Sequence, residues 1–174
     1  MVAPAFTTER LILRMPAVTD FAAFAAQRAD PVVMKYMGKG DLLSEEEAWL
    51  KFQSIIGHWQ IVGYGSWMIE DKASGAMIGV LGYADKKRPA EHPASGAPEM
   101  GWSFAEAVHG KGYASEALKA ALVWGRDHFG PARVVCVISD DNAASIRLAE
   151  RHGFQQFATS TRYGLGRKVF ERVL

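Results

Sequence analysis

Residues 133–138 (RVVCVI) constrain the fold more than any other segment, because a nearly all-apolar run of strand length reads as a strand buried on both faces. Such a strand needs cover from flanking elements. Before it, residues 112–129 place Ala114, Ala117, Leu118, Ala121, Leu122, Gly125 and Phe129 on a sustained helical stripe. After it, residues 142–152 read as a helix stopped by Gly153. With residues 99–104 (EMGWSF) as a further strand, the order becomes strand, helix, strand, helix, which predicts a right-handed βαβ crossover. The fold class is therefore α/β.

The remaining segments add to this unit. Residues 8–14 (TERLILR) read as a first strand ended by Pro16, and Thr19 or Asp20 can cap a helix bearing Phe21, Phe24 and Ala25. Asp30-Pro31 offers a second helix start before residues 32–36. Ser44 and Glu47 form a capping box ahead of Ala48, Phe52, Ile55, Ile56, Trp59 and Val62, an amphipathic helix that ends near Gly63. Residues 65–70 and 77–83 are β-rich runs around a turn-forming segment, and they should pair. Residues 84–98, rich in proline, alanine and charge, follow neither period and read as an exposed loop. Residues 154–161 and 168–173 close the chain as a hairpin around residues 163–166. With 174 residues, 49% of them hydrophobic and no repeat or linker, the expectation is one domain over residues 1–174.

Charge and cysteine usage narrow the classes of partner. Twenty basic residues against 19 acidic ones leave a formal net charge of +1, which gives no global attraction to nucleic acid or to an anionic membrane. Any anion site must be local. Cys136 stands alone, which excludes an intramolecular disulfide and a cysteine-based zinc cluster, and fits a reducing, cytoplasmic setting. The five histidines, His58, His92, His109, His128 and His152, lack metal-ligand spacing, so no catalytic metal is expected. No apolar run approaches the ~20 residues of a membrane helix, and no secretory signal opens the sequence.

The most informative local pattern is His109-Gly110-Lys111-Gly112-Tyr113-Ala114, between a strand and the helix it opens. Two glycines allow unusual backbone angles, and successive amides at a helix start make a cup for phosphate oxygens. An ordinary glycine-rich turn has the same composition. The spacing matches neither a triphosphate P-loop nor a dinucleotide fingerprint.

Three motifs in order carry a resemblance: Pro98-Glu-Met-Gly-Trp102, then residues 110–118 (GKGYASEAL), then residues 142–154 (NAASIRLAERHGF). Together with the opening residues 8–14, they make the chain similar to the GNAT superfamily of N-acetyltransferases, closest to its ribosomal-protein N-acetyltransferase-like branch. The resemblance implies a mixed, mostly antiparallel sheet of about seven strands with splayed parallel strands four and five, flanked by about four helices. It implies acetyl-coenzyme A as cosubstrate and an amine as acceptor. His109, Gly110, Lys111, Gly112, Tyr113 and Ala114 fall on the diphosphate-binding turn, with His109 where the family prefers Gln or Arg. Lys111 is read either as added charge or as a solvated lysine.

Asn142 falls where the family bonds the pantetheine arm or acetyl region, and it also reads as a helix N-cap. Many members place a tyrosine acid seven residues later, where this chain has Ala149; in the branch it resembles, the Ser145 position supplies a hydroxyl to the departing sulfur instead. A small residue packed beneath the cosubstrate is the other reading of Ser145. Thiolate is a good leaving group because a thiol pKa is only ~8.5, so a weak acid suffices. The amine must be neutral, which costs a lysine-type group of pKa ~10.4 about 4 kcal/mol near neutral pH and an α-amine of pKa ~7.7 almost nothing. Glu99, at the start of its strand, is the candidate general base, directly or through water; a solvated strand-end carboxylate is the alternative.

His92 in the loop is a weaker base candidate that reads as exposed. Trp67, Trp102, Tyr83 and Tyr36 are core residues or pocket liners, and Cys136 reads as an inert core thiol. Two rival functions stand: a non-catalytic coenzyme A-binding module, motivated by Ala149 and His109, and a nucleotide-binding domain using the same turn. The acceptor, whether a protein N-terminus, polyamine, amino acid or drug, is open, and the resemblance admits a monomer or a homodimer.

Overall fold

The computed structural model describes residues 5–162 and 164–174. Its strands are β1 (Phe6–Thr7), β2 (Leu11–Arg14), β3 (Ser66–Asp71), β4 (Met77–Ala84), β5 (Glu99–Phe104), β6 (Arg133–Ser139), β7 (Gln155–Arg162) and β8 (Leu165–Val173). The α-helices are α1 (Phe21–Arg28), α2 (Pro31–Met34), α3 (Glu45–Val62), α4 (Tyr113–Phe129) and α5 (Ala143–Arg151), with 3-10 turns over Val18–Asp20 and Glu106–Val108. One sheet runs in the order β1-β2-β3-β4-β5-β6-β8-β7, and β5 and β6 are its parallel pair. The mixed, mostly antiparallel architecture is the expected one, with eight strands rather than about seven and five α-helices rather than about four among the described residues.

The surplus strand has a local cause. The first strand breaks at residues 8–10, because the Thr8 hydroxyl accepts the Leu11 amide at 3.0 Å and the Thr8 amide donates to the Leu11 carbonyl at 2.9 Å. Asp20 also departs from expectation. Its carboxylate takes the Ala17 amide at 2.7 Å and a forked pair of bonds from Arg14, so it fastens the chain entering α1 instead of capping that helix. The other start signals act as read. Ser44 and Glu47 exchange bonds at 3.2 and 2.8 Å ahead of α3, Asp30 accepts the Val32 amide at 2.8 Å, and Gly63 ends α3 in the left-handed region at φ 80°.

β6 is covered on both faces. Val134, Cys136 and Ile138 join the core formed with Ala117, Leu118 and Ala121 of α4 and with Leu148 and Ala149 of α5, while Val135 packs with Val169 and Ala94 on the opposite face. Ala94 lies in the segment read as an exposed loop, and that reading needs correcting. A two-sided buried strand requires a lid on its second face, and residues 84–98 supply part of it: Ala94 is buried, Pro93 accepts a bond from Arg133 at 2.9 Å, and Arg88 reaches Glu99. His92, read as exposed, is partly buried there and accepts the Ala94 amide at 3.1 Å. Next to this lid, α1 and α3 cover Met68 and Val80 with Phe24, Ala48 and Phe52. In the closing hairpin, β7 and β8 pair as expected, and Tyr163 of its turn lies outside the described residues.

α4 is fixed against the sheet at two points. Tyr83 on β4 donates its buried hydroxyl to the Ala121 carbonyl at 3.0 Å, and a side chain at Gly125 would run into that hydroxyl, so the helix needs a glycine there to lie so close. At its other end Glu116 receives Thr8 Oγ1 at 2.5 Å, the Arg10 amide at 2.8 Å and Arg10 Nε at 2.6 Å. Burial alone would raise the Glu116 pKa, but the bonds from Thr8 and Arg10 outweigh it and hold the carboxyl below its ordinary value of 4.5. A depressed carboxylate contributes stability that is complete above the unfolded pKa and lost as pH falls through the folded one. The melting temperature of the wild type should therefore fall more steeply below about pH 4.5 than that of Glu116→Gln, whereas parallel profiles would show that this clamp carries no charge-dependent stability.

Candidate active site

β5 and β6 share one ladder position, Glu99 opposite Val135, with the Val135 amide donating to the Pro98 carbonyl at 3.1 Å. Past it they diverge. Each is fully engaged on its outer edge, β5 along all six residues with β4 and β6 along all seven with β8, so the facing edges bound a wedge open at their C-terminal ends. A 3-10 turn (Glu106–Val108) follows β5, and residues 109–112 lead from it into α4.

This turn needs glycine at both positions, since Gly110 has φ 74° and Gly112 has φ 82°, a region that costs other L-residues about 1 kcal/mol or more. Gly112 is the N-cap of α4 and no side chain caps the helix, so its first-turn amides, which no α-helix can satisfy internally, remain available to an external acceptor. Two side chains fix the turn from behind. Arg10 donates to the Lys111 carbonyl at 2.9 Å, and His109 donates from Nε2 to the Phe104 carbonyl at 2.9 Å. The His109 ring is thus tied to the end of β5. Lys111 is exposed; Tyr113 turns its ring beneath the Arg10 guanidinium at 4.3 Å and its hydroxyl toward Asp71 at 3.4 Å, leaving its backbone to the turn. Ala114 packs on the core. Beside Gly112 runs a cleft whose charged lining residues are Lys119, Arg151, Glu9 and the Glu116 already engaged by Arg10.

Across the wedge, Asn142 caps α5 by accepting the Ser145 amide at 3.1 Å, and Ser145 Oγ accepts the Trp102 indole N–H at 3.1 Å. This bond joins α5 to β5 over the splay. Because Ser145 accepts from the indole, its own proton is directed elsewhere and can be donated. Ala149, at the expected tyrosine position, is fully buried in the core. Trp67 and Tyr83 are fully buried as well, so of the strand aromatics Trp102 is the one turned to the wedge's bridging contact. Cys136 is buried, and desolvation pushes its thiol well above the ordinary range, as an inert core thiol requires.

Glu99 sits where the wedge closes and is not solvated. Arg88 grips both of its oxygens, at 2.7 and 2.9 Å, and both side chains are nearly buried. Arg88 escaped sequence reading because it lies in a segment without periodicity. The Trp102–Ser145 bond and the Arg10 clamp escaped it because each joins residues far apart in the chain; the one available signal was Thr8 and Arg10 in the opening motif. Among the described residues no group of three or more His, Cys, Asp or Glu side chains is arranged to hold a metal ion, and no helix is long and apolar enough to cross a membrane.

Comparison with known proteins agrees with this geometry. The family model described as an acetyltransferase (GNAT) domain matches residues 10–155. The uncharacterized N-acetyltransferase YoaA of Bacillus subtilis is 29% identical over 163 residues, covering 92% of this chain and 88% of that protein. Among solved structures, a Bordetella pertussis protein described as a GnaT-family acetyltransferase superposes with a TM-score of 0.84 at 31% identity, covering 98% of this chain and 99% of the other. A complex of coenzyme A with RimL, described as a ribosomal L7/L12 alpha-N-protein acetyltransferase, shares the fold at a TM-score of 0.77 and 22% identity, covering 100% of this chain and 98% of that one. An uncapped glycine turn at the mouth of a two-strand splay, the match over residues 10–155 and these relatives agree: the chain belongs to the GNAT acetyltransferase family.

Proposed function

We propose that the protein transfers an acetyl group from acetyl-coenzyme A to a primary amine, directly and within one ternary complex. The observation that carries this reading is the start of α4, where two left-handed glycines and an uncapped first turn face the open end of the β5–β6 wedge. A diphosphate fits such a cup because a helix start offers converging N–H donors and a favourable dipole. No Cβ contact lies within 4 Å of Gly110, so the approach to its backbone is open. His109, Lys111, Tyr113 and Ala114 contribute through the backbone of the same turn, and Asn142 and Ser145 meet the arm that would lie along the wedge.

The thioester supplies an activated acetyl carbonyl; the remaining work falls to the chain. Ser145, oriented by Trp102, donates its proton toward the departing sulfur. Glu99 draws the proton of the attacking amine, through water and with the Arg88 fork loosened, because both oxygens are otherwise engaged. An α-amine or another weakly basic amine suits this arrangement best, since it is neutral without help. The buried Ala149 and the gripped Glu99 also suit a protein that binds coenzyme A without turnover. A thiol-release assay over an amine panel separates the two readings. Transfer predicts turnover that falls roughly 10²-fold in Glu99→Gln, the scale of a lost general base, and about tenfold in Ser145→Ala, the equivalent of one hydrogen bond, while calorimetry still shows coenzyme A binding in both. Saturable binding without thiol release on any amine would favour the non-catalytic reading, and unchanged rates in the variants would remove those two residues from the mechanism.

A further inference from the structure

The face of β5 turned away from α4 carries Glu99, Gly101 and Ser103, since side chains alternate along a strand and Met100, Trp102 and Phe104 join the α4 core. Glu99 and Ser103 are buried, yet Gly101 between them is exposed, and a Cβ placed on it would meet nothing within 4 Å. Mid-sheet backbone is thus open at one point beside the wedge. Two buried guanidinium groups flank that opening. Arg28, 4% exposed, donates to Ser103 Oγ at 3.1 Å, two residues or roughly 7 Å along β5 from Gly101. Arg167, 6% exposed, donates to Ser139 Oγ at 3.2 Å. Counting from the Glu99–Val135 pair, Ser103 and Ser139 are each four residues on, so they face each other across the splay. The two arginines also converge on adjacent residues, Arg28 on the Met37 sulfur at 3.1 Å and Arg167 on the Gly38 carbonyl at 2.8 Å.

Neither guanidinium has a carboxylate partner among the described residues; their partners are hydroxyls, carbonyls, a thioether and, for Arg28, the face of the Phe24 ring at 4.6 Å. Asp140, the nearest acid in sequence to this end of β6, packs over Gly166. Arg88, the third arginine near this face, is already neutralised by Glu99. Burying two cations without a counter-ion is costly, and an anion entering at Gly101 would relieve that cost, whereas a second cation would add to it. Desolvation lowers the Arg28 pKa to about 10, which leaves it charged at neutral pH.

Resting on the acetyl-transfer reading above, we propose that the acceptor is a small amine bearing a carboxylate, an amino acid in the broad sense, whose anionic group is drawn to the Arg28–Arg167 pair while its amine faces the wedge. The arginines lie too deep for a folded protein surface to reach, and their like charge disfavours polyamines.

Thiol release is to be compared for α- and ω-amino acids, their carboxamides, spermidine and an acidic hexapeptide. The expected result is kcat/KM at least about tenfold higher for the acids than for their amides, although the amide's less basic amine is the more reactive at neutral pH. That preference should shrink in Arg28→Met and Arg167→Met, and Gly101→Leu should lower kcat/KM for all small acceptors without lowering the melting temperature. Spermidine or the hexapeptide as best acceptor, or amides equal to acids, would overturn the proposal. If no amine turns over, the acetyl-transfer reading fails, and the site is then judged by melting shifts alone: N-acetylated amino acids should stabilise the protein and their carboxamides should not, with equal shifts overturning it. The acid-against-amide comparison on the wild type stands even if an arginine variant fails to fold.

Discussion

Two neighbouring parallel strands that touch at a single ladder position set the terms for the rest of this molecule. Backbone N–H and C=O groups are obligatory hydrogen-bonding groups, and leaving one unpaired away from water costs on the order of 1–3 kcal/mol. β5 and β6 satisfy their outer edges fully and forgo their inner ones past Glu99 and Val135. A sheet broken in this way needs its halves held by something other than the ladder. The molecule supplies that with the bond between Trp102 and Ser145 and with the packing of α4 and α5 over both strands. The unpaired edges are also suited to an amide-rich chain laid along the wedge, which is the shape of ligand the family uses.

The glycine turn depends on the same break. The turn is held from behind, as Arg10 donates to the Lys111 carbonyl, His109 donates to the Phe104 carbonyl, and Glu116 gathers Thr8 and Arg10 into one clamp, while no side chain caps the start of α4. A turn with two left-handed residues has many alternatives in an unfolded chain, and these bonds select one of them. Basic groups then lie on both sides of the sheet, in different settings. On the α4 side the helix start lies beside Lys119 and Arg151, with Glu9 and Glu116 in the same cleft, while on the other side Arg28 and Arg167 are buried without a carboxylate partner among the described residues.

Much of this was legible in the sequence where the governing interactions are local. β5, α4, β6 and α5 follow from periodicity, the glycines announce the turn, and the Ser44–Glu47 box and Asp30-Pro31 mark helix starts that the structure keeps. What was not legible rests on partners distant in sequence. Thr8 looks like the first residue of a strand until its hydroxyl is seen to turn back on Leu11 and reach Glu116, 108 residues away. Residues 84–98 look like loop because they have no period, yet the far face of β6 needs a lid, and Ala94 and Arg88 serve it. Glu99 looks solvated at a strand end, and only the fold brings Arg88 to both its oxygens. Arg28 and Arg167 offered no signal at all, since buried arginines without acids are recognised by what surrounds them.

On the proposed reading, the backbone amides opening α4 bind a diphosphate and so orient the arm attached to it. Amide NMR of the labelled protein, titrated with coenzyme A and separately with pantetheine, which lacks the diphosphate, tests it most directly. Expected are large, saturable downfield shifts at Gly110, Gly112 and Ala114 with coenzyme A only. Shifts confined to other regions, or the same response to pantetheine, would contradict it.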